Sequence, residues 1–133
     1  MTPRRQFKLS QADTKFLDSH YTFWETLVEN KRHWVLIDGF DVPAGYDHDV
    51  VSIALLLEAA YPDVQIDMAY FLPGPARTDG KSIAKLTATQ IDGKSWQRWS
   101  RHRVGDDAWR PGIDNIETHL RYVTSFLETE LKK

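Results

Sequence analysis

The sequence predicts an α+β fold in which helices lie on an antiparallel sheet. Three observations lead there. Four short segments rich in aromatic and β-branched residues follow one another at hairpin distances between positions 21 and 72. One unbroken apolar stripe at helical spacing runs through residues 113–131. Between them, residues 76–110 show no clear period. The expected order is an N-terminal helix, a four-stranded antiparallel meander, an irregular segment and a long C-terminal helix. A length of 133 residues suits one domain with one core. The core is placed at 10–131, with 1–9 expected to fray.

Ser10-Gln-Ala-Asp13 looks like a capping box with Asp in the Glu place. It should open a helix over 11–18 that turns Ala12, Phe16 and Leu17 inward. Tyr21 to Val28 reads as a strand, Glu29-Asn-Lys-Arg32 as a polar turn, and His33 to Ile37 as a second strand. Residues 38–46 hold two Gly and a Pro and read as a loop. Val50 to Leu57 is apolar on both faces and so belongs in the middle of the sheet. Ile66 to Leu72 gives a fourth strand, closed by Pro73-Gly-Pro75. Asp114 is placed to cap the last helix, with Glu117 at the third position. Ile113, Ile116, Leu120, Val123, Leu127 and Leu131 then form its apolar stripe over about five turns.

Charge and composition remove several function classes. The formal net charge is −2, with no long single-sign run, so bulk electrostatics give no reason to expect a nucleic acid or a membrane surface. No Cys is present, which excludes disulfides, thiolate metal sites and a thiol nucleophile. No signal peptide or membrane-length apolar run is visible, so the cytoplasm is the default compartment. The histidines show no ligand spacing, and Asp47-His48-Asp49 reads as a polar loop; no metal or cofactor is expected. Asp63 and Asp67 flank a strand, but nothing there indicates glycoside chemistry. Asp79-Gly80-Lys81 and Asp92-Gly93-Lys94 are turn signals.

The densest stretch is Ser95-Trp-Gln-Arg-Trp-Ser-Arg-His-Arg103. A long irregular segment in a compact domain is usually functional, and this one is crowded with chemistry. Ser100 and His102 stand two apart, so on an extended chain they point the same way. A hydroxyl needs an adjacent base to act as a nucleophile, and His102 is in place to serve. Arg101 and Arg103 could stabilise an oxyanion or hold a carboxyl terminus. Asp107, or its neighbour Asp106, could orient His102. Arg98 and Arg103, with Trp96, Trp99 and Trp109, offer a partner-binding surface, although the Trp residues read more readily as core.

The order of elements also resembles the ubiquitin-conjugating enzyme superfamily. Tyr61-Pro62 after the third strand and Trp109-Arg-Pro111 before a long amphipathic helix resemble segments of those enzymes. Ala44-Gly-Tyr-Asp47, Tyr61-Pro-Asp-Val64, Asp67-Met68 and Trp96-Gln-Arg-Trp-Ser-Arg-His102 are similar to its prokaryotic family E branch, across roughly 10–131. Gln65-Ile66 stands where paired prolines are expected, no His-Pro-Asn triplet occurs, and Cys is missing. In the superfamily the Cys precedes the Trp of this segment by a short interval. Counted back from Trp109, that interval ends at Arg101, beside Ser100.

The resemblance therefore implies a transferase. It would accept a ubiquitin-like protein from an activating-enzyme homologue, as an ester on Ser100, and pass it to an amine. Ser95 is the reserve candidate. The branch is also associated with a JAB-type peptidase. The alternative is a catalytically inactive variant of the fold that binds a ubiquitin-like protein or the activating enzyme noncovalently. A nucleic-acid or phosphate binder using Arg98, Arg101, Arg103 and the Trp faces is a third reading, opposed by the net charge.

Overall fold

Six strands build the sheet in the computed structural model, which describes residues 1–133. Helix α1 (Gln11–His20) comes first. Strands β1 (Trp24–Glu29), β2 (Arg32–Asp41), β3 (Val50–Leu57) and β4 (Ala69–Leu72) follow in the expected meander order, but β2 runs on into the expected loop and β4 begins only at Ala69, because Met68 takes a left-handed φ of 63° where the strand from Ile66 was expected. Then come β5 (Leu86–Ile91), β6 (Lys94–Trp99), a single 3-10 turn at Gly105–Asp107 and helix α2 (Ile116–Glu130). The strand order is β1-β2-β3-β4-β6-β5, antiparallel throughout.

The hairpin β5–β6 lies inside the segment expected to be irregular. Its strand Leu86-Thr-Ala-Thr-Gln-Ile91 is mostly exposed on both sides, so it lacks the alternation that marks a half-buried strand. Its turn is conventional: Asp92 and Gly93 have φ of 55° and 73°, the two-residue hairpin geometry that Asp-Gly favours. Asn30 and Lys31, at φ 52° and 65°, make the same kind of turn between β1 and β2.

The helix ends differ from expectation in their partners. Ser10 Oγ accepts from the Asp13 N–H at 3.1 Å, as a cap should. The Asp13 carboxylate does not reach back; it is buried and accepts from Tyr61 Oη at 2.7 Å. Tyr61 Oη in turn accepts from the Ile116 N–H at 2.9 Å, so one phenol ties the starts of both helices together. Burial and the Asp13 contact push the Tyr61 pKa up, which keeps it a donor. Ala12 is exposed, and Leu17 alone of the expected three is fully inside. Helix α2 is capped by Asn115, in a box with Thr118, and not by Asp114 with Glu117. Asp114 is withdrawn into the protein to meet Arg103 and Arg110. The stripe from Ile116 to Leu127 is buried as expected, but Ile113 precedes the helix and is 60% exposed.

The sheet has a core on each face. Leu17, Ile116, Leu120, Val123 and Leu127 pack from the helices onto Val35, Ile37, Ile53, Leu55, Phe71 and Trp99. On the other face Leu27, Trp34, Leu36, Ala54, Tyr70, Ile91 and Trp96 are buried among themselves. The sheet curls around this second cluster, because its two ends are clasped together. Arg4 binds Glu25 of β1 and Asp92 of the β5–β6 turn, and Glu29 accepts from the Asp92 N–H at 2.9 Å. Residues 1–9 thus do not fray from Arg4 onward. Gln6 and Arg4 exchange backbone hydrogen bonds with Thr26, and Leu9 is buried.

Candidate functional site

The backbone leaves β6 at Trp99 and runs on through Ser100, Arg101, His102 and Arg103. Burial alternates along it, as on an extended chain. Trp99 is fully buried in the helix-side core, Arg101 and Arg103 turn inward, and Ser100 and His102 turn outward. The even-numbered row continues back to Arg98, which pairs with Tyr70 across β4. Arg98, Ser100 and His102 thus share one side of the strand. The Ser100 N–H donates to Lys85 O at 3.1 Å, which extends the β5–β6 ladder by one pair and fixes this segment.

His102 is mostly exposed, and its Nδ1 lies 2.8 Å from Asp67 Oδ2. The expected orienting carboxylate, Asp107, does not reach it. Asp107 contributes only its carbonyl, to Arg103 Nε at 2.8 Å. With Nδ1–H donated to Asp67, His102 keeps its Nε2 lone pair free. Ser100 is half-buried, and its Oγ forms no hydrogen bond to His102. The structure therefore gives an Asp67–His102 pair with a hydroxyl two residues away, and not a closed relay.

Asp67 is held from behind. Met68 has a φ of 63°, a conformation that a long side chain rarely adopts. Its carbonyl accepts from His119 Nε2 at 2.8 Å. His119 is sealed in the core, and burial lowers its pKa to about 4. Neutral His119 can donate through Nε2 and accept from Arg103 Nη1, 3.4 Å from its Nδ1. Arg103 continues to Asp114 Oδ2, and its guanidinium lies about 5 Å from the Trp109 and Tyr122 rings. Arg110 and Arg103 hold the Asp114 pKa down at about 2, Arg110 being the main cause. Tyr122 Oη closes the network by donating to His102 O at 2.9 Å.

The two arginines expected to steady an oxyanion are therefore committed elsewhere. Arg101 binds Glu130 Oε1 at 3.1 Å and the carbonyls of Ala84 and Ser100, and Arg103 is buried in the network above. Trp96 and Trp99 take the core positions that the sequence favours, and not the partner surface. Each is buried in one of the two cores, so neither presents a partner-binding surface. Trp109 is half-buried, donates to Pro62 O at 2.9 Å and sits 6.2 Å from Tyr61. Ser95 is exposed on β6, away from His102.

Two buried side-chain polar atoms lack partners: Asp67 Oδ1 and Arg98 Nε. Unsatisfied buried atoms are costly, and these two flank Ser100 and His102. Beside Asp67 lies a recess of about 340 Å³, walled by Leu56, Val64, Met68 and Tyr70, with Glu58 at its rim. The largest cleft, about 500 Å³, is elsewhere, under the Arg4 clasp, and holds none of these groups. No set of three His, Asp or Glu side chains is placed to hold a metal. No helix is long and apolar enough to cross a membrane.

Asp67 is the residue that sequence reasoning missed. Its signal was present in the Asp67-Met68 pair, but Asp107 lay closer along the chain. Only the left-handed turn at Met68 shows which carboxylate arrives. One protein family, described as prokaryotic E2 family E, matches residues 9–130. No curated protein and no solved structure gives a match.

Proposed function

We propose, from the premise that this chain belongs to prokaryotic E2 family E, that it is a ubiquitin-like conjugation protein whose acyl-carrying atom is Ser100 Oγ. An activating enzyme would present the ubiquitin-like protein as a thioester. Ser100 Oγ attacks the carbonyl carbon, a C–O bond forms and the C–S bond breaks. The hydroxyl proton passes to His102 Nε2 and from there to the leaving thiolate. Asp67 keeps the ring in the tautomer that leaves Nε2 basic. Arg98, on the same side of the strand, supplies positive charge as negative charge builds on the carbonyl oxygen. An amine then attacks the ester, a C–N bond replaces the C–O bond, and the proton returns to Ser100. The recess suits that acceptor: an aliphatic stem lies along Leu56, Val64 and Tyr70, with Glu58 and Asp67 beside the amine, which gives its extra proton to solvent before it attacks.

The single observation that carries this reading is the Asp67–His102 bond of 2.8 Å beside Ser100. The test mixes this chain with its activating enzyme, ATP and the ubiquitin-like protein. The expected adduct resists thiols, yields to hydroxide and is missing from Ser100→Ala. His102→Gln and Asp67→Asn should each slow its formation by about 100-fold. An identical adduct on Ser100→Ala overturns the assignment.

A second reading follows from the Ser100–His102 bond that is not made. On that reading the chain is a noncovalent module that holds the ubiquitin-like protein or the activating enzyme. Saturable binding with no ATP-dependent adduct selects it.

A further inference from the structure

We infer that the free edge of β5 takes up the extended C-terminal tail of the ubiquitin-like partner as an added strand, antiparallel to β5, and so leads the tail's end to Ser100. The inference rests on the carrier reading for its destination, but on the sheet for its docking.

The two edges of the sheet differ. At β1 the edge is occupied, because Gln6 N donates to Thr26 O and Thr26 N donates to Arg4 O. At β5 nothing pairs with the outer side. Natural edges are usually blunted by Lys, Pro or a bulge, and Leu86-Thr-Ala-Thr-Gln-Ile91 has none of these. Strand addition uses such edges, with main-chain hydrogen bonds giving the affinity.

Register says which groups are available. Pairs exchanging hydrogen bonds alternate along an antiparallel ladder. The Ser100 N–H to Lys85 O bond puts the odd-numbered residues of β5 in the bonded set with β6. The backbone N–H and C=O groups of Leu86, Ala88 and Gln90 therefore point outward.

Direction follows from the hairpin. Leu86 pairs with Trp99, so β5 begins at the Ser100 end. A strand antiparallel to β5 runs from the Ile91 end toward Leu86, which brings its carboxyl end to Ser100. Two strand spacings separate it from β6, about 10 Å, and about three extended residues span that distance. Those residues pass Lys85, whose φ of 60° turns the backbone at this point, and small side chains would pass it most easily.

The probe is the synthetic thioester of Thr-Val-Thr-Val-Gly-Gly, with mercaptoethanesulfonate as the leaving thiol, added to the whole chain. Two readouts are taken: backbone amide shifts and mass of the acylated protein. Shifts should concentrate at Leu86, Ala88 and Gln90. N-methylation of the probe should cut acylation at least about tenfold at one set of alternate positions and leave it unchanged at the other. Ala88→Pro, which removes an outward N–H and leaves the β6 ladder intact, should do the same, while Ala88→Thr should not. The methylated probes serve even if the Pro variant does not fold. Acylation of Ser100 that ignores methylation and leaves the β5 amides unmoved overturns the edge inference alone. Edge shifts without any Ser100 ester overturn the carrier reading alone. Neither signal with the wild-type chain overturns the inference.

Discussion

On the helix side of the sheet, Leu17 and the α2 stripe cover Val35, Ile53, Leu55, Phe71 and Trp99. On the opposite side, Leu27, Trp34, Leu36, Tyr70 and Trp96 are nearly as buried, with no helix over them. The first side is sealed by a second layer. The second is covered by curvature: the sheet bends until its two ends meet at Arg4, Glu25, Glu29 and Asp92, and a cleft remains under that clasp. The difference matters for function. The backbone after β6 lies at the boundary between these faces, so its inward residues anchor in the rigid side and its outward ones remain free for chemistry.

The sharpest way to break this comparison is to empty the layered side. Trp99 touches Tyr46, Phe71 and Phe126, and it is fully buried. Trp99→Ala should cost about 4 kcal/mol, read from denaturant midpoints, because the helix layer cannot collapse into the space left. Trp96→Ala should cost less, since its side of the sheet can close further. Equal losses would mean that the second face is as rigidly packed as the first.

A somewhat smaller effect comes from His119, the buried base behind Met68. Its folded-state pKa is lowered to about 4 against an ordinary 6.5, so the unfolded chain binds the proton more readily. Stability from this group is therefore full above pH 6.5 and is lost as pH falls toward 4. The loss should total about 3 kcal/mol. His119→Gln, measured in the same urea series, should flatten that slope. If it does not, protonation of His119 is not what loosens the layered side in acid.

These cases show how far the sequence carries. The α2 stripe and the strand at Val50–Leu57 were legible because their periodicity is local and their burial follows from it. The β5–β6 hairpin was not, because a polar, two-sided strand has no periodic signature, although Asp92-Gly93 marked its turn. The site was legible by half. Ser100 and His102 stand two apart on one side of an extended chain, as their spacing predicts. Arg101 and Arg103 alternate with them, so the same rule that exposes the pair points both cations inward. Trp96 and Trp99, three apart on a strand, must face opposite ways, and each found a core. Asp67 reaches His102 from the loop before β4, beside a backbone turn at Met68, a contact that no local pattern encodes.

The smallest effect tests the clasp that closes the curved side. Arg4 spans Glu25 and Asp92 through four side-chain hydrogen bonds of 2.7–3.0 Å. Both carboxylates have lowered pKa values, with Arg4 the main cause. Yet Arg4 is 36% exposed, so solvent screens much of the attraction. Arg4→Ala should cost only about 1 kcal/mol, and less at high salt. The sign with pH follows from the carboxylates: the contribution is present above their ordinary range and disappears as pH falls through their lowered values. Opening the clasp should also change Trp96 fluorescence while leaving the helix signal in far-ultraviolet dichroism intact. A loss comparable to that of Trp99→Ala would show that the curl of the sheet, and not the helix layer, is what the fold depends on.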